Sequence, residues 1–424
     1  MIRSLLLSAA LSFTCASVSA ETLAIRGKIW TGTDAGQIEN GIVIVEDGVI
    51  SRLGDGDLEL PEGAVELGGE STWITPGIIA PFSRLGIVEV SAEDSTDDRG
   101  GANAQFASSL RAADGFNPSA TPIGVTRIEG VTHAAVAPTC SHTIIAGLGF
   151  IADTSGNANT VLDDSSFLFV ELGERGAQHA GGSRSAAWAY LRGALAEGQQ
   201  QRAGTYRPGP TKLVSQADAR VLADVVRGRI KLLLHAHRAS DLLQIIDLQN
   251  AYGGLDIVLV GAAEGWLVAD ELASAGIPVI IDPFDNLPQS FESLAATGQN
   301  AERLIEAGVV TAFANLSDDG HQIRLVLQGA GNAVANGVSH DDALAAITTN
   351  PAKIFDLDNQ GTIQRGANAS IVIWDGDPLE ITSTPQTVII DGDVQSMESR
   401  QTRLRDRYLS LEPDDKPFSY RVAR

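Results

Sequence analysis

The stretch of this 424-residue chain richest in groups that could do chemistry is Lys231–His237, K-L-L-L-H-A-H. An apolar run ending in His-x-His is the pattern of a buried strand that delivers two imidazoles near its carboxyl end. Side chains alternate along a strand, so His235 and His237 leave it on the same side. Carboxylates fall near the ends of other apolar runs: Glu171, Glu264, Asp282, Asp285, Asp318 and Asp319, with a further histidine at His321. Two imidazoles plus carboxylates suffice for one divalent cation such as zinc, because neutral imidazole nitrogen and carboxylate oxygen are both good ligands for it. A packed, hydrogen-bonded His235 surrounded by loop carboxylates satisfies the same pattern, and both alternatives stand at this point.

Other chemical signals are thinner. Gly147-Leu148-Gly149-Phe150-Ile151-Ala152 fits G-x-G-x-x-A, but no helical pattern follows and no acid stands at the ribose-binding distance, which argues against a dinucleotide site. Cys140 near His142 reads as a small core or loop cysteine rather than a nucleophile with its base. No G-x-S-x-G elbow occurs, so a serine hydrolase is unsupported. The acidic run within Ser91–Gly101 lacks the glycine and terminal glutamate of a calcium loop and reads as a solvated connection.

The candidate residues need strands to position them, and the chain supplies strands in order. Apolar runs at Trp73–Val90, Val131–Pro138, Thr143–Ile151, Phe167–Glu171, Lys231–His237, Leu255–Val260, Ile277–Asp282 and Val309–Ala314 count to eight. Helical patterns separate many of them, at Ser183–Glu197, Gln216–Arg227, Ser240–Ala251, Gly265–Ala275 and Ala301–Ala307. That alternation predicts a (β/α)8 barrel of the TIM type, with a doubly wound sheet as its competitor. Residues 22–70 alternate apolar and polar side chains, and Asp47-Gly48 between two apolar runs marks a hairpin. Further strands are expected at 361–363, Ala369–Trp374, Thr387–Ile390 and Val394, after helices at Ile323–Gly337 and Asp341–Phe355. Both chain ends would then build one β-domain. The expected division is residues 1–20 as a leader, 21–70 with 358–398 as a composite β-sandwich, 71–357 as the barrel, and 399–424 as a tail. The tail carries an Arg-rich helix, Ser399–Leu411, expected to pack on the acidic body or on a second subunit.

The first twenty residues have a basic start at Arg3, an apolar stretch Ser4–Val18 and small residues at Val18 and Ala20. This is a secretory signal pattern with cleavage after Ala20, and it predicts a periplasmic or secreted protein without a membrane span. Cleavage leaves Cys140 as the single cysteine, so no internal disulfide is expected. Loss of Arg3 takes the net charge from −23 to −24, which argues against nucleic acid and anionic membrane surfaces as partners.

The run Trp73-Ile74-Thr75-Pro76-Gly77-Ile78-Ile79 resembles the opening strand of the amidohydrolase superfamily, T-P-G-(L/I)-(I/V)-D-x-H-x-H. Asp342–Ala352 is similar to that family's helix after the eighth strand. Gly361-Thr362-Ile363 through Gly366, followed by Ile371–Leu379, resembles its return to the β-domain. These landmarks occur in family order across most of the mature chain and are closest to the imidazolonepropionase-like branch. The resemblance implies a barrel with a composite β-sandwich and hydrolysis of a carbon–nitrogen bond other than an ordinary peptide bond, in a small amide or cyclic amide. It also implies metal ligands at the strand ends, since a divalent metal acidifies bound water and polarises the scissile carbonyl.

Carried over by position, the strand-one aspartate falls on Ala80 and its two histidines on Phe82 and Arg84. Glu171 ends strand four in place of a lysine, and His235 matches the strand-five histidine. Val260-Gly261 stands where strand six would offer another, and Asn315-Leu316 stands at the strand-eight position. Asp318, a short slip further on, would be the general base. The resemblance thus implies a degenerate site. One divalent metal would be held by His235, His237, Glu171 and His321 with Asp318 as base, and Arg84 and Phe82 would contact substrate, the guanidinium binding a carboxylate where a metal would otherwise lie. The alternative is a non-catalytic relative that binds a ligand in the barrel mouth or serves as partner to an active paralogue. A homodimer is the default association.

Overall fold

The structure is a computed structural model that describes residues 21–317, 320 and 322–409. The leader and the candidate residues Asp318, Asp319 and His321 therefore lie outside the described residues. Two sheets organise the chain. The barrel sheet contains eight strands: β1 (Ile78–Ser83), β2 (Val131–Val136), β3 (Ile145–Asp153), β4 (Val161–Glu171), β5 (Lys231–Ala236), β6 (Ile257–Gly261), β7 (Val279–Ile281) and β8 (Thr311–Phe313). Neighbours in sequence are neighbours in the sheet.

Seven strands run parallel and β3 runs against both β2 and β4. The reversal follows from the connections. Parallel neighbours need a crossover of a dozen or more residues, and the short links on either side of β3 carry no helix. The expected regular (β/α)8 alternation is therefore broken at the third strand. The sheet closes around the gap between β8 and β1 through one loop: Phe313 N donates to Ala346 O and Ile79 N to Ile347 O, both at 2.9 Å. This use of the 346–348 backbone splits the expected helix Asp341–Phe355 into His340–Ala345 and Thr349–Ile354.

The second sheet has seven strands, four from the start of the chain and three from its end. Asp47 and Gly48, both at positive φ, turn the hairpin between Gln37–Glu46 and Val49–Asp55. The strand Val65–Pro76 lies at the centre of this sheet, parallel to Leu23–Trp30 and antiparallel to Ile371–Trp374. Trp73–Pro76, expected as the start of the first barrel strand, thus belongs to the neighbouring domain, and the crossover falls at Gly77 rather than near residue 70. Its doubly apolar character fits either location. Glycine is required there by proximity, because a Cβ on Gly77 would collide with the Thr132 side chain. The expected strand at 361–363 is instead loop, although Ile363 N still donates to Thr31 O.

Within the second sheet, a buried bond from Trp374 Nε1 to Thr75 Oγ1 at 2.9 Å ties the strand from the chain's end to the central strand beside it. Trp374→Phe keeps most of the packing but leaves the Thr75 hydroxyl without its donor. It is expected to lower unfolding free energy by about 1–3 kcal/mol, read from the urea midpoint at unchanged m-value. An unchanged midpoint would remove this bond from the account of how the second sheet is held together.

Of the helices, Arg184–Arg202 starts where expected, with Ser183 accepting from Ala186 N, and runs five residues past the expected Glu197. Gln216–Val225 begins with a reciprocal cap between Ser215 and Asp218. The tail helix Arg400–Leu409 buries none of its residues and lies against the helix Thr121–Arg127 of the body. Among the described residues no helix is long and apolar enough to cross a membrane.

Candidate active site at the barrel mouth

Period-two alternation decides which side chains enter the barrel. Inward positions are Phe82 on β1, Phe167 and Phe169 on β4, Leu233 on β5, Val258 and Val260 on β6, Ile280 on β7 and Ala312 with Ala314 on and after β8; these residues pack as one buried cluster. Continuing the alternation to the carboxyl ends of the strands gives Arg84, Glu171, His235, His237 and Asp282. The barrel floor is therefore apolar and aromatic, and the residues immediately above it are ionisable.

Glu171 and His235 form the centre of that layer. The His235 Nδ1–H donates to Glu171 Oε1 across the adjacent, in-register β4 and β5. Burial opposes charge on both groups. For Glu171 it is outweighed by the charge and hydrogen bond of His235, helped by Arg175 and Arg84, so the carboxyl lies below its ordinary value. For His235 it is outweighed by the charge and hydrogen bond of Glu171, with Glu292 adding to them, so the imidazole lies above its ordinary value. His237 stacks edge-on to His235, with ring centroids 4.7 Å apart. Burial, then the charge of His235, push it down to about 3, which keeps it neutral. Its buried Nδ1 finds no hydrogen-bond partner among the described residues. Gly261 is needed beside both rings, since a Cβ there would lie 2.9 Å from His237 Cε1 and 3.0 Å from His235 Nε2.

Arg84 is 3% exposed. Its guanidinium carbon lies 4.6 Å from the Phe82 ring centroid and 5.4 Å from that of Phe169, and its Nε donates to Thr139 Oγ1 at 2.9 Å. Stacking on two ring faces is a favourable setting for a weakly hydrated guanidinium. Phe82 and Phe169 meet edge to face at 5.1 Å.

The carboxylates predicted around the site divide by their obligations. Asp282 accepts from Phe284 N at 3.0 Å and Leu316 N at 2.9 Å, tying the end of β7 to the loop after β8. Glu264 accepts from Ala239 N and Ala295 N. Glu292, not anticipated from sequence, accepts from Glu174 N at 2.7 Å and from Arg184 Nη2 at 3.0 Å. The one available signal for it was the connection from Asp282 to Asn300, longer than a βα turn needs. Thr139 and Arg175, also missed, carry no local signal. Cys140 is buried, its thiol donates to Ile144 O and burial raises it further from reactivity.

A divalent metal requires lone-pair donors converging on one point. Phe82 and Arg84 have none to offer, and the Nδ1 of His235 is committed to Glu171. Among the described residues no group of three or more histidines, cysteines or acids is placed to hold a metal ion. The described residues therefore do not fit the metal centre that the family resemblance implies, and a buried cation stands on the strand that would supply its first two ligands.

Residues 215–397 match the amidohydrolase family. An amidohydrolase of Hapsidospora irregularis, tasK, is 25% identical over 392 residues, 84% of this chain and 40% of that protein. The chain thus spans well under half the length of this curated relative. Among solved structures, an amidohydrolase from Thermotoga maritima superposes with a TM-score of 0.76 at 23% identity, covering 87% of this chain and 99% of its own. Molinate hydrolase does so at 0.55 and 19%, covering 96% of this chain and 100% of its own. Atrazine chlorohydrolase TrzN from Arthrobacter aurescens TC1, solved with zinc, does so at 0.52 and 14%, covering 91% and 98%. The 215–397 segment is therefore similar to the amidohydrolase family, and the chain as a whole shares the two-domain fold of these solved structures.

Proposed function

We propose that the chain is an exported hydrolase of the imidazolonepropionase-like branch, cleaving a carbon–nitrogen bond other than an ordinary peptide bond in a small amide or cyclic amide that carries a carboxylate. The observation that supports this reading is the cationic layer above the aromatic floor, with Arg84 on Phe82 and Phe169 and the His235–Glu171 pair beside it. The guanidinium offers planar, charge-assisted hydrogen bonds to a carboxylate. The Nε2–H of a protonated His235, fixed in orientation by Glu171, is a donor for the carbonyl oxygen as negative charge develops on it. Gly261 leaves that nitrogen uncovered on its own side. Arg84 and Phe82 are thus read as substrate contacts, and His235, Glu171 and His237 as a donor layer.

A second reading is a non-catalytic ligand-binding or partner subunit. It is favoured by Phe82 on β1 and Arg84 directly after it, at the positions where the resemblance would put metal ligands. Both readings can be tested on mature protein with N-acetyl amino acids and carboxylate-bearing cyclic amides, each beside its neutral carboxamide. Thermal shift reports binding and mass spectrometry reports addition of water. The first reading expects turnover and stabilisation by the carboxylates alone, with Arg84→Met weakening binding about 10–100-fold, the size of a lost charge-assisted hydrogen bond. Binding without turnover would select the second reading, and equal response to carboxylates and carboxamides would remove the role of Arg84.

A further inference from the structure

We infer that the segment 283–299, between β7 and the helix Asn300–Glu306, holds an apolar acyl chain of the substrate. This rests on the carboxylate-bearing amide proposed above and narrows it to amino acids N-acylated with a chain longer than acetyl. The burial pattern of the segment is inverted. Glu292 and Ser293 are each 6% exposed, whereas Phe291 and Leu294 on either side of them are 84% and 62% exposed. Phe284 and Leu287 are exposed as well. Glu292 is turned to the body by the bonds it accepts from Glu174 N at 2.7 Å and Arg184 Nη2 at 3.0 Å. The Ser293 hydroxyl accepts from Gln289 N and Ser290 N within the segment. With these polar residues turned in, the large apolar side chains beside them are held in water, a cost that an apolar ligand would relieve.

Hydrogen bonds place the segment on the rim of the barrel mouth. Glu174 stands on the turn that leaves β4, directly beyond Glu171 and Leu172. Arg184, which holds Glu292, also donates from Nε to Asp241 in the first turn of the helix that follows β5. Ala295 N donates to Glu264 Oε1 at 3.1 Å, and Glu264 N donates in turn to His237 O, just past the end of β5. Trp266 Nε1 donates to Ala295 O at 2.8 Å, and its neighbour Leu267 is a further exposed apolar side chain. The segment therefore leaves β7 and rests on the turns after β4, β5 and β6, beside the His235–Glu171 pair. From β4 to β7 is about 14 Å, room for an extended chain whose amide lies at that pair.

A second copy of the chain is the other body that could cover such a face. It would bring a net charge of −23 against the same charge. An acyl chain brings none, and the carboxylate at the other end of the molecule has the Arg84 guanidinium to meet.

The test uses the mature chain with N-acetyl, N-butanoyl, N-hexanoyl and N-octanoyl glycine, each below its micelle-forming concentration. Calorimetry reads binding and mass spectrometry reads hydrolysis. Affinity is expected to rise with each added methylene, by about fourfold at most. Leu287→Ser combined with Phe291→Ser is expected to lower the octanoyl-to-acetyl affinity ratio about 10-fold or more, and Phe291→Leu alone should keep most of it. Both side chains are exposed, so the double variant should fold as the wild type does. Binding of no member of the series, affinity independent of chain length, or a ratio that survives the double substitution overturns the inference. So does a double variant that turns a dimer into a monomer in sedimentation while the ratio stays unchanged. Binding that depends on chain length without hydrolysis supports the acyl site and counts against the hydrolytic reading. Equal affinity for octanoylglycine and its carboxamide, with that dependence intact, supports the acyl site and counts against the role of Arg84.

Discussion

Glu171→Gln is expected to destabilise the fold by about 3–5 kcal/mol, the size found when one partner of a buried ion pair is removed. The argument does not need the pair itself to be strongly stabilising. Glu171 is deep among β4, β5 and the aromatic floor and His235 is half-buried beside it, so the glutamine variant leaves the imidazole either charged and unpaired or neutral and short of its acceptor. The pH dependence gives a second signature. The folded-state value of Glu171 is lowered, so its contribution is present above the ordinary 4.5 and is lost as pH falls through the lower folded value. The folded-state value of His235 is raised, so its contribution is complete below the ordinary 6.5 and is lost as pH rises through the higher folded value. The pair therefore stabilises most between about pH 4.5 and 6.5, and the wild type should lose stability on either side of that window. In Glu171→Gln both slopes should shrink. Urea midpoints measured from about pH 2 to pH 9 check this (about three points on each limb suffice), and a variant within about 1 kcal/mol of wild type with both slopes intact would show that the bond is not formed in solution.

The parts of this arrangement that sequence could reveal are those written in local pattern. K-L-L-L-H-A-H declared a buried strand with two imidazoles on one side because alternation is a property of a single strand. The landmark Thr75–Ile79 pointed to the barrel with a second sheet that is found, and the carry-over set Phe82 on the first barrel strand and Arg84 directly after it. The same landmark misplaced the domain crossover. Trp73–Pro76 is apolar on both faces under either sheet, and only its pairing with Leu23–Trp30 and Ile371–Trp374 decides between them. β3 misled for a related reason: an apolar run covered on both faces reads the same in either direction, and its reversal is set by the lengths of the links around it. Glu292 and Thr139 had no local signature at all. Their roles come from partners 118 and 55 residues away in sequence, and such closure is a property of the assembled barrel.

Phe169→Ala should combine a stability loss with a loss at the site, because one ring serves both. Phe169 is 1% exposed, meets Phe82 edge to face, lies under the Arg84 guanidinium and has its ring centroid 6.5 Å from that of His235. Truncating a buried phenylalanine removes its transfer free energy and leaves a cavity, together about 3–5 kcal/mol. Loss of one of the two ring contacts to Arg84 adds a smaller electrostatic effect, about 0.5–2 kcal/mol. Phe169→Leu separates the contributions, since leucine refills much of the volume but offers no ring face. The alanine variant should lose most stability, whereas both variants should weaken carboxylate binding to a similar degree. Coupling supplies the sharper measurement. If Phe169 acts on the ligand by orienting Arg84, then Phe169→Leu should weaken binding much less in an Arg84→Met background than in wild type, with an interaction energy of about 0.5–3 kcal/mol. Additive effects in that double-mutant cycle would mean that ring and guanidinium act independently, and the aromatic floor would then be packing beneath the site rather than part of how the cation is held.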